Sequence, residues 1–256
     1  MRLPFTGRTC VVVAISRLCM ALAGTLGAAW QGWHMLMRVR NCNGSGCMGC
    51  AKGCRMGMNV VCLDLEGVLA PEIWIAFADA AGVPDLRRTT RDEPDYDKLM
   101  QFRLDVLRRH GLGLPQIQEV IAGIDPVPGA KEFLDDLRAT TQEIIISDTF
   151  EQFAQPIMAK LGWPTIFCNT LEVADDGTIT GHRMRCDQTK LTTVRALHSC
   201  GFETIASGDS YNDLGMIKAS KAGFLFRSTA AIKAEHPEIP AYDTFEDLSR
   251  AIKAAL

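Results

Sequence analysis

Two carboxylates stand where an apolar segment ends. Residues 60–63 read VVCL, and Asp64 and Glu66 follow just before a glycine. An ionised carboxylate without a partner is costly in an apolar environment, so a cation is expected beside this pair. The segment itself is short and apolar throughout, which is typical of a strand buried on both faces of a parallel sheet.

Two later apolar segments also end in polar side chains. EIII runs into Ser147 and Asp148, and ETIASG runs into Asp209, with Asp213 four residues further on. Carboxylates gathered without histidine partners suit a hard cation with oxygen ligands, such as magnesium. Lys190, at a predicted helix start between these two segments, is another positive charge. The pattern therefore predicts a metal site and a reaction where the strands end.

The rest of the sequence predicts the elements that hold these side chains. Helices are predicted at 70–82, 94–111, 115–124, 128–140, 150–162, 189–200 and 244–256. Strands are predicted at 59–64, 143–148, 203–209 and 222–227, with a hairpin over 167–184 that turns at Asp176-Gly177. This alternation indicates an α/β fold, a mainly parallel sheet covered by helices on both faces. Ligands of such sheets collect beyond the carboxyl ends of the strands.

These residues resemble a known family. DLEGVL, Ser147, Lys190 and GDSYND together resemble the four motifs of the haloacid dehalogenase-like phosphatases. CLDLEGVLAPEIWIAF, TTRDEPDYDKLMQFRL and IISDTFEQFAQPIM are similar to phosphoserine phosphatases that also act as phosphoserine:homoserine phosphotransferases. The resemblance implies a Rossmann-like phosphatase core at 59–69 and 128–256, with a small helical cap at 70–127.

The resemblance also implies catalytic and metal-binding roles. Asp64 matches the nucleophile, which forms an aspartyl-phosphate. Glu66 matches the general acid and base, at a position where the family usually has aspartate. Asp64, Asp209 and the Glu66 backbone carbonyl are expected to hold Mg²⁺. Asp213 is expected either to bind the metal directly or to orient the metal ligands from behind them. Asn212 is expected in the same outer position.

A third set of roles concerns the substrate. Ser147 and Lys190 match the groups that hold phosphate oxygens. Arg103 is similar in position to an arginine that binds the substrate carboxylate, and Glu72 to a glutamate that binds its ammonium group. Tyr96 falls near an aromatic residue that closes the pocket. From the sequence alone, Lys190 and Arg103 also fit solvated surface charges, and residues 147–149 also fit a helix cap.

Charge is distributed unevenly along the chain. Its 27 basic and 30 acidic residues give a net charge of −3, which argues against a nucleic-acid partner. Residues 1–63 hold seven basic residues and no acid, whereas residues 64–256 have a balance of −10. Residues 1–58 are therefore treated as an unassigned leader, disordered or a misassigned start. Its uncharged stretch 18–37 is diluted by polar residues and glycines, so no membrane association is expected.

Cysteines also concentrate in the leader. The spacing of Cys42, Cys47, Cys50 and Cys54 resembles zinc and iron–sulfur sites, but a Gly- and Cys-rich stretch also produces such spacings by chance. The later cysteines are scattered, which indicates reduced thiols and a cytoplasmic protein.

The function predicted from these features is that of a Mg²⁺-dependent phosphoserine phosphatase acting through an aspartyl-phosphate and also transferring the phosphoryl group to homoserine. Two alternatives stay open: a phosphatase of the same fold for another small phosphate ester, and a non-enzymatic cysteine-cluster or membrane-tethered protein. The oligomeric state is not predicted.

Overall fold

The structure is a computed structural model, and it describes residues 58–89, 92–93 and 95–256. Nearly all of the predicted leader, with Cys42, Cys47, Cys50 and Cys54, lies outside these residues. The strands are β1 (Met58–Leu63), β2 (Gln142–Phe150), β3 (Ile166–Val173), β4 (Ile179–Arg183), β5 (Phe202–Gly208), β6 (Ala222–Phe226) and β7 (Ala241–Tyr242).

The helices of the described part account for most of the remaining chain. They are α1 (Ile73–Ala81), α2 (Tyr96–His110), α3 (Leu114–Ala122), α4 (Ala130–Arg138), α5 (Glu151–Lys160), α6 (Thr189–Ser199), α7 (Leu214–Ala219), α8 (Ala230–Glu235) and α9 (Phe245–Ala255). Two short 3-10 helices span Pro84–Arg87 and Tyr211–Asp213. No described helix combines the length and the apolar character needed to cross a bilayer.

The strands form one sheet in the order β4-β3-β2-β1-β5-β6-β7. All neighbours are parallel except β3 and β4. Leu63, the last residue of β1, lies opposite Ile145 of β2 and Ser207 of β5, so β1 and β5 end together while β2 continues for five residues. The predicted α/β fold is confirmed. The sequence did not reveal that β3, the first strand of the hairpin, also joins the main sheet beside β2.

Local sequence signals explain where the first helices end. Gly82 and Gly111 follow α1 and α2 with φ of 67° and 64°, a conformation that glycine adopts without steric cost. Asp95 caps the start of α2, because its side chain accepts a hydrogen bond from the backbone N–H of Lys98 at 3.2 Å. Both predicted helix ends are confirmed. The short elements α7, α8 and β7 were not predicted.

Apolar residues of α1–α3 pack together with those of the sheet and α5. One buried cluster joins Phe77 of α1, Met100 of α2 and Ile117 of α3 to Phe153 of α5 and Leu63 of β1. Helices α1–α3 therefore pack against the sheet and against α5 through this shared apolar cluster. The division of the chain into cap and core stays a prediction, although these helices fall where the cap is expected.

Polar contacts hold the same helices to the hairpin and to α5. The backbone N–H of Leu114 donates to the Gly177 carbonyl at the hairpin tip, at 2.8 Å. Lys160, at the end of α5, donates to the Ile124 carbonyl at 2.8 Å and to Asp125 at 2.7 Å. Because these contacts come from both ends of α3, they hold α3 against the hairpin and α5.

Candidate active site

Three carboxylates meet at the carboxyl ends of β1 and β5. Asp64 directly follows β1, Asp209 directly follows β5, and Asp213 lies in the 3-10 turn beyond it. One carboxylate oxygen from each lies within 4.8 Å of the others. The juxtaposition follows from the parallel register, which aligns both strand ends. Together with Lys190, we call these residues the carboxylate rim.

Lys190 lies inside the rim rather than on the surface. Its side chain is 3% exposed, and Nζ lies 2.9 Å from Asp64 Oδ2 and 2.6 Å from Asp213 Oδ1. Burial alone would lower the pKa of Lys190, but the carboxylates of Asp213 and Asp64 raise it above its ordinary value. Lys190 therefore stays charged, and the surface-lysine interpretation is wrong.

The rim carries more negative than positive charge. Burial and the Asp213 carboxylate raise the pKa of Asp64 well above its ordinary value, against the lowering effect of Lys190. The same two causes raise the pKa of Asp209 to about 6. Three carboxylates facing one ammonium group leave a negative charge that a divalent cation would neutralise. The residues present therefore fit a magnesium ion.

Both oxygens of Asp213 already have partners within the chain. Oδ1 accepts from Lys190, and Oδ2 accepts from the backbone N–H groups of Asp209 and Ser210, each at 3.0 Å. Asp209 instead keeps a half-buried carboxylate at the same rim. The geometry favours Asp213 as the residue that orients Asp209 and Lys190, rather than as a direct ligand.

Gly67 leaves room for the Asp209 carboxylate. Its φ is +78°, and a Cβ at this position would lie 2.5 Å from Asp209 Cγ. Such a contact is shorter than carbon atoms tolerate. Any other side chain at residue 67 would displace either the loop after Asp64 or the Asp209 carboxylate.

Glu66 lies in the loop after β1 and contacts the start of α1. Its Oε1 accepts a hydrogen bond from the backbone N–H of Ile73 at 3.3 Å. Burial, followed by the nearby Glu72 carboxylate, raises the pKa of Glu66 to about 8. Near neutral pH the group is largely protonated, which is the state that a general acid requires.

Ser147 and Asn212 flank the rim. Ser147 is 1% exposed, and its Oγ accepts from the backbone N–H of Thr149 at 3.2 Å. Residues 147–149 continue β2, and α5 begins without a side-chain cap, so the helix-cap interpretation is wrong. Asn212 is exposed and donates from Nδ2 to Asp148 Oδ2 at 3.0 Å.

Arg103 of α2 is buried, with 5% exposure, so the surface-charge interpretation is wrong. Its guanidinium carbon lies 4.4 Å from the centroid of the Trp74 ring, and one terminal nitrogen donates to the Arg88 carbonyl at 2.8 Å. Its Nε has no hydrogen-bond partner among the described residues. A buried guanidinium with a free donor is a favourable site for an anionic ligand.

The other predicted substrate residues lie around Arg103. Burial lowers its pKa, while the neighbouring Tyr96, Glu66 and Glu72 oppose the shift. Tyr96 begins α2, and its ring meets the His182 ring edge-on at a centroid distance of 5.6 Å. Glu72 is exposed immediately before α1. We call Glu72, Trp74, Tyr96 and Arg103 the cap-side group.

Sequence reasoning missed two contributors to this end of the sheet. One is Trp74, which lies in the predicted helix at 70–82 and was assigned no role in a site. The other is Asp148, whose polar side chain at a strand end was noticed but was given no role. A tryptophan at helical spacing is usually a core residue, so its contact with Arg103, 29 positions later, is not visible in the sequence.

The profile of the haloacid dehalogenase-like hydrolases matches residues 73–218. The chain belongs to the haloacid dehalogenase-like hydrolase family. The match includes Lys190, Asp209 and Asp213, but it begins after Asp64. Asp64 and Glu66 are therefore assigned to the site from their positions in the structure, where Asp64 contacts Lys190. The family membership makes this chain an enzyme of the hydrolase class.

Curated relatives of this haloacid dehalogenase-like hydrolase extend over most of its length. Phosphoserine phosphatase ThrH of Pseudomonas aeruginosa is 50% identical over 193 residues, which are 75% of this chain and 94% of that protein. A phosphoserine phosphatase of Pseudomonas syringae is 46% identical over 199 residues, which are 77% of this chain and 84% of the relative.

Solved structures share the fold. A substrate-bound phosphoserine phosphatase complex has a TM-score of 0.62 at 20% identity and covers 77% of this chain and 98% of that one. A phosphoserine phosphatase from T. onnurineus in complex with NDSB-201 has a TM-score of 0.59 at 20% identity, covering 79% and 98%. At this identity the likeness concerns the fold alone.

Proposed function

We propose that this chain is a magnesium-dependent phosphoserine phosphatase that works through an aspartyl-phosphate on Asp64 and also passes the phosphoryl group to homoserine. The observation that carries the proposal is the buried ammonium group of Lys190 between Asp64 and Asp213. A carboxylate nucleophile beside a fixed cation is the arrangement that phosphoryl transfer requires. The relatives named phosphoserine phosphatase support the choice of substrate.

The first half of the reaction uses Asp64 and Glu66. A carboxylate oxygen of Asp64 attacks phosphorus, and the bond from phosphorus to the serine oxygen breaks. Glu66, protonated because its pKa is raised to about 8, gives its proton to the departing serine oxygen. Lys190 stays charged and offsets negative charge on the transferring group.

In the second half, Glu66 is a carboxylate and acts as a base. It takes a proton from water or from the hydroxyl of homoserine, and that oxygen attacks phosphorus and releases Asp64. Asp64, Asp209 and the Glu66 carbonyl would hold Mg²⁺, which supplies further neutralisation of phosphate charge. Asp213 keeps Lys190 and the Asp209 backbone in place through the hydrogen bonds that its carboxylate accepts from them.

The cap-side group selects the amino acid part of the substrate in this proposal. The free Nε of Arg103 and its charge suit the carboxylate of phosphoserine. Glu72, exposed nearby, suits the ammonium group, and Tyr96 closes the pocket from the start of α2. Small-molecule partners, no nucleic acid and a cytoplasmic location belong to the same proposal; the described cysteines, Cys62, Cys168, Cys186 and Cys200, are all free thiols.

The test uses the full chain with magnesium. We would measure kcat/KM for phosphoserine, phosphothreonine and p-nitrophenyl phosphate, and follow phosphohomoserine by ³¹P NMR after adding homoserine. The kcat/KM for phosphoserine should exceed that for p-nitrophenyl phosphate by at least about tenfold, since p-nitrophenyl phosphate lacks the carboxylate and ammonium groups that Arg103 and Glu72 would bind. Faster turnover of another ester would contradict phosphoserine as the substrate. Full activity in a chelator would contradict the requirement for magnesium.

A further inference from the structure

Asp148 lies beside the carboxylate rim without belonging to it. It follows Ser147 in β2, and each of its carboxylate oxygens accepts a hydrogen bond from a different part of the chain. Oδ1 accepts from the hydroxyl of Thr189, at the start of α6, and Oδ2 accepts from Nδ2 of Asn212 at 3.0 Å. One side chain therefore joins the end of β2 to the start of α6 and to the turn after β5.

The main chain of the same residue is also fixed. The Asp148 carbonyl accepts from Nδ2 of Asn169 at 2.9 Å, and Asn169 is 1% exposed. Asn169 Oδ1 in turn accepts from the backbone N–H of Arg185 at 2.9 Å. The guanidinium of Arg185 reaches α6, where it donates to the Thr193 hydroxyl at 2.6 Å and to the Thr189 carbonyl at 3.2 Å. A second path thus connects Asp148 to the start of α6.

Both hydrogen-bond donors adjoin residues of the central ion pairs. Thr189 immediately precedes Lys190, and Asn212 immediately precedes Asp213. Lys190 and Asp213 are 2.6 Å apart, and Lys190 also contacts Asp64. A shift of either neighbouring segment would therefore move the ammonium group relative to the nucleophile. Misplacement by about 1 Å is enough to cost phosphoryl transfer roughly 100-fold.

We propose that Asp148 is a positioning residue that fastens the segments carrying Lys190 and Asp213 to the end of β2, and so sets the distance between Lys190 and Asp64. It acts through Thr189 and Asn212 and need not touch the phosphate. The inference rests on the phosphoryl-transfer part of the proposed function and is independent of the amino acid substrate.

The main test compares kcat and KM of the full chain for phosphoserine and p-nitrophenyl phosphate. Asp148→Ala should lower kcat for both substrates by roughly 10- to 100-fold. KM for phosphoserine should change by less than about threefold, because Arg103 is untouched. Thr189→Val, which removes one of the two donors, should give a smaller fall in kcat.

A rescue experiment separates positioning from loss of a charge. Asp148→Asn places an amide donor against the amide donor of Asn212 and should lower kcat roughly tenfold. Adding Asn212→Asp lets the new amide of residue 148 donate to a carboxylate at residue 212, and the total charge equals that of the wild type. The double variant should recover at least about fivefold in kcat over Asp148→Asn, a coupling that independent effects would not produce.

Thr204 provides the matched control for loss of stability. It is fully buried near the start of β5, at the opposite end of that strand, and its hydroxyl contacts His198 and Ser220 at 2.8 Å each. Thr204→Val should lower the unfolding temperature as Asp148→Ala does, but leave kcat within twofold. If Asp148→Ala also leaves kcat within twofold, or if the double variant recovers nothing, the inference is overturned. Wild-type protein inactive on both esters would overturn the proposed function as well.

Discussion

In the carboxylate rim, Lys190 and both oxygens of Asp213 are bonded within the chain, whereas in the cap-side group Arg103 is buried with a free Nε. The rim is set before any substrate arrives, which lowers the cost of reorganisation during phosphoryl transfer. The cap-side group instead keeps a donor for a ligand. Under the proposed function, the rim provides the chemistry common to phosphate esters and the cap-side group provides selection. The experiments below test that division, from the largest expected effect to the smallest.

Replacing the nucleophile should remove the activity on every substrate. Asp64→Asn keeps the shape of the side chain, but an amide does not form the acyl-phosphate, so kcat should fall at least about 1,000-fold. The measurement is phosphate release from phosphoserine and from p-nitrophenyl phosphate. Asp105→Asn, an exposed change on α2, is the control and should keep full activity. Residual turnover above one per cent of the wild-type rate would contradict the assignment of Asp64 as the nucleophile.

Crowding the Asp209 carboxylate should also affect both substrates. In Gly67→Ala the new Cβ meets Asp209 Cγ at 2.5 Å, and we expect kcat to fall roughly 100-fold, with a higher magnesium requirement. Gly82→Ala is a matched control, since Gly82 has φ of +67° but nothing within 4 Å of its Cβ position. Both variants share the backbone cost of about 1 kcal/mol, and only the first should lose activity. Equal losses of kcat in Gly67→Ala and Gly82→Ala would mean that backbone strain, and not crowding of Asp209, causes the effect.

Removing Arg103 should separate the two regions. Arg103→Ala deletes a charge-assisted contact worth about 1.5–3 kcal/mol, so kcat/KM for phosphoserine should fall about tenfold to hundredfold. For p-nitrophenyl phosphate, which has no carboxylate, the same constant should stay within about threefold. Arg103→Lys should restore only part of the loss, because an ammonium group lacks the planar fork.

The control for this variant lies on the same helix. Arg109→Ala removes an exposed arginine of α2 that pairs with Asp85, and it should leave both substrates unaffected. An equal fall on both substrates in Arg103→Ala would mean that Arg103 supports the rim, and the division between chemistry and selection would be lost.

The raised pKa of Glu66 predicts how the stability of the magnesium-free protein depends on pH. Folding raises the pKa from 4.5 to about 8, so the stabilising contribution is complete below about pH 4.5 and is lost as pH rises through 8. The unfolding temperature in a chelator should therefore fall between about pH 5 and pH 9. Glu66→Gln should reduce this slope, while Asp209 leaves part of it at lower pH. If Glu66→Gln leaves the dependence of unfolding temperature on pH unchanged, the raised pKa of Glu66 is contradicted.

The smallest expected effect concerns Trp74. Trp74→Phe leaves a smaller ring under the Arg103 guanidinium, and a cation–π contact is worth about 0.5–2 kcal/mol, so KM for phosphoserine should rise roughly two- to tenfold. Phe77→Leu perturbs the packing of the same helix without touching Arg103, and it should lower stability but keep KM. If both variants raise KM equally, Trp74 is a packing residue only.

The sequence by itself determined the sheet class, the first helix ends and the three strand ends that carry polar groups. Apolar runs, glycines at helix ends and polar residues after strands are local signals, because each depends on neighbours within a few positions. The same signals, read with the resemblance to a family, identified Asp64, Lys190 and Asp209 as residues that would meet.

Only the tertiary structure decided which partner each polar group has. Asp148 bonds to Thr189 and Asn212, which are 41 and 64 positions away, and Arg103 stacks on Trp74 of another helix. The placement of β3 beside β2 likewise depends on how α5 packs on the sheet. Such contacts are set by the shape and burial of whole elements, and a residue type carries no local mark of the distant group that it will face.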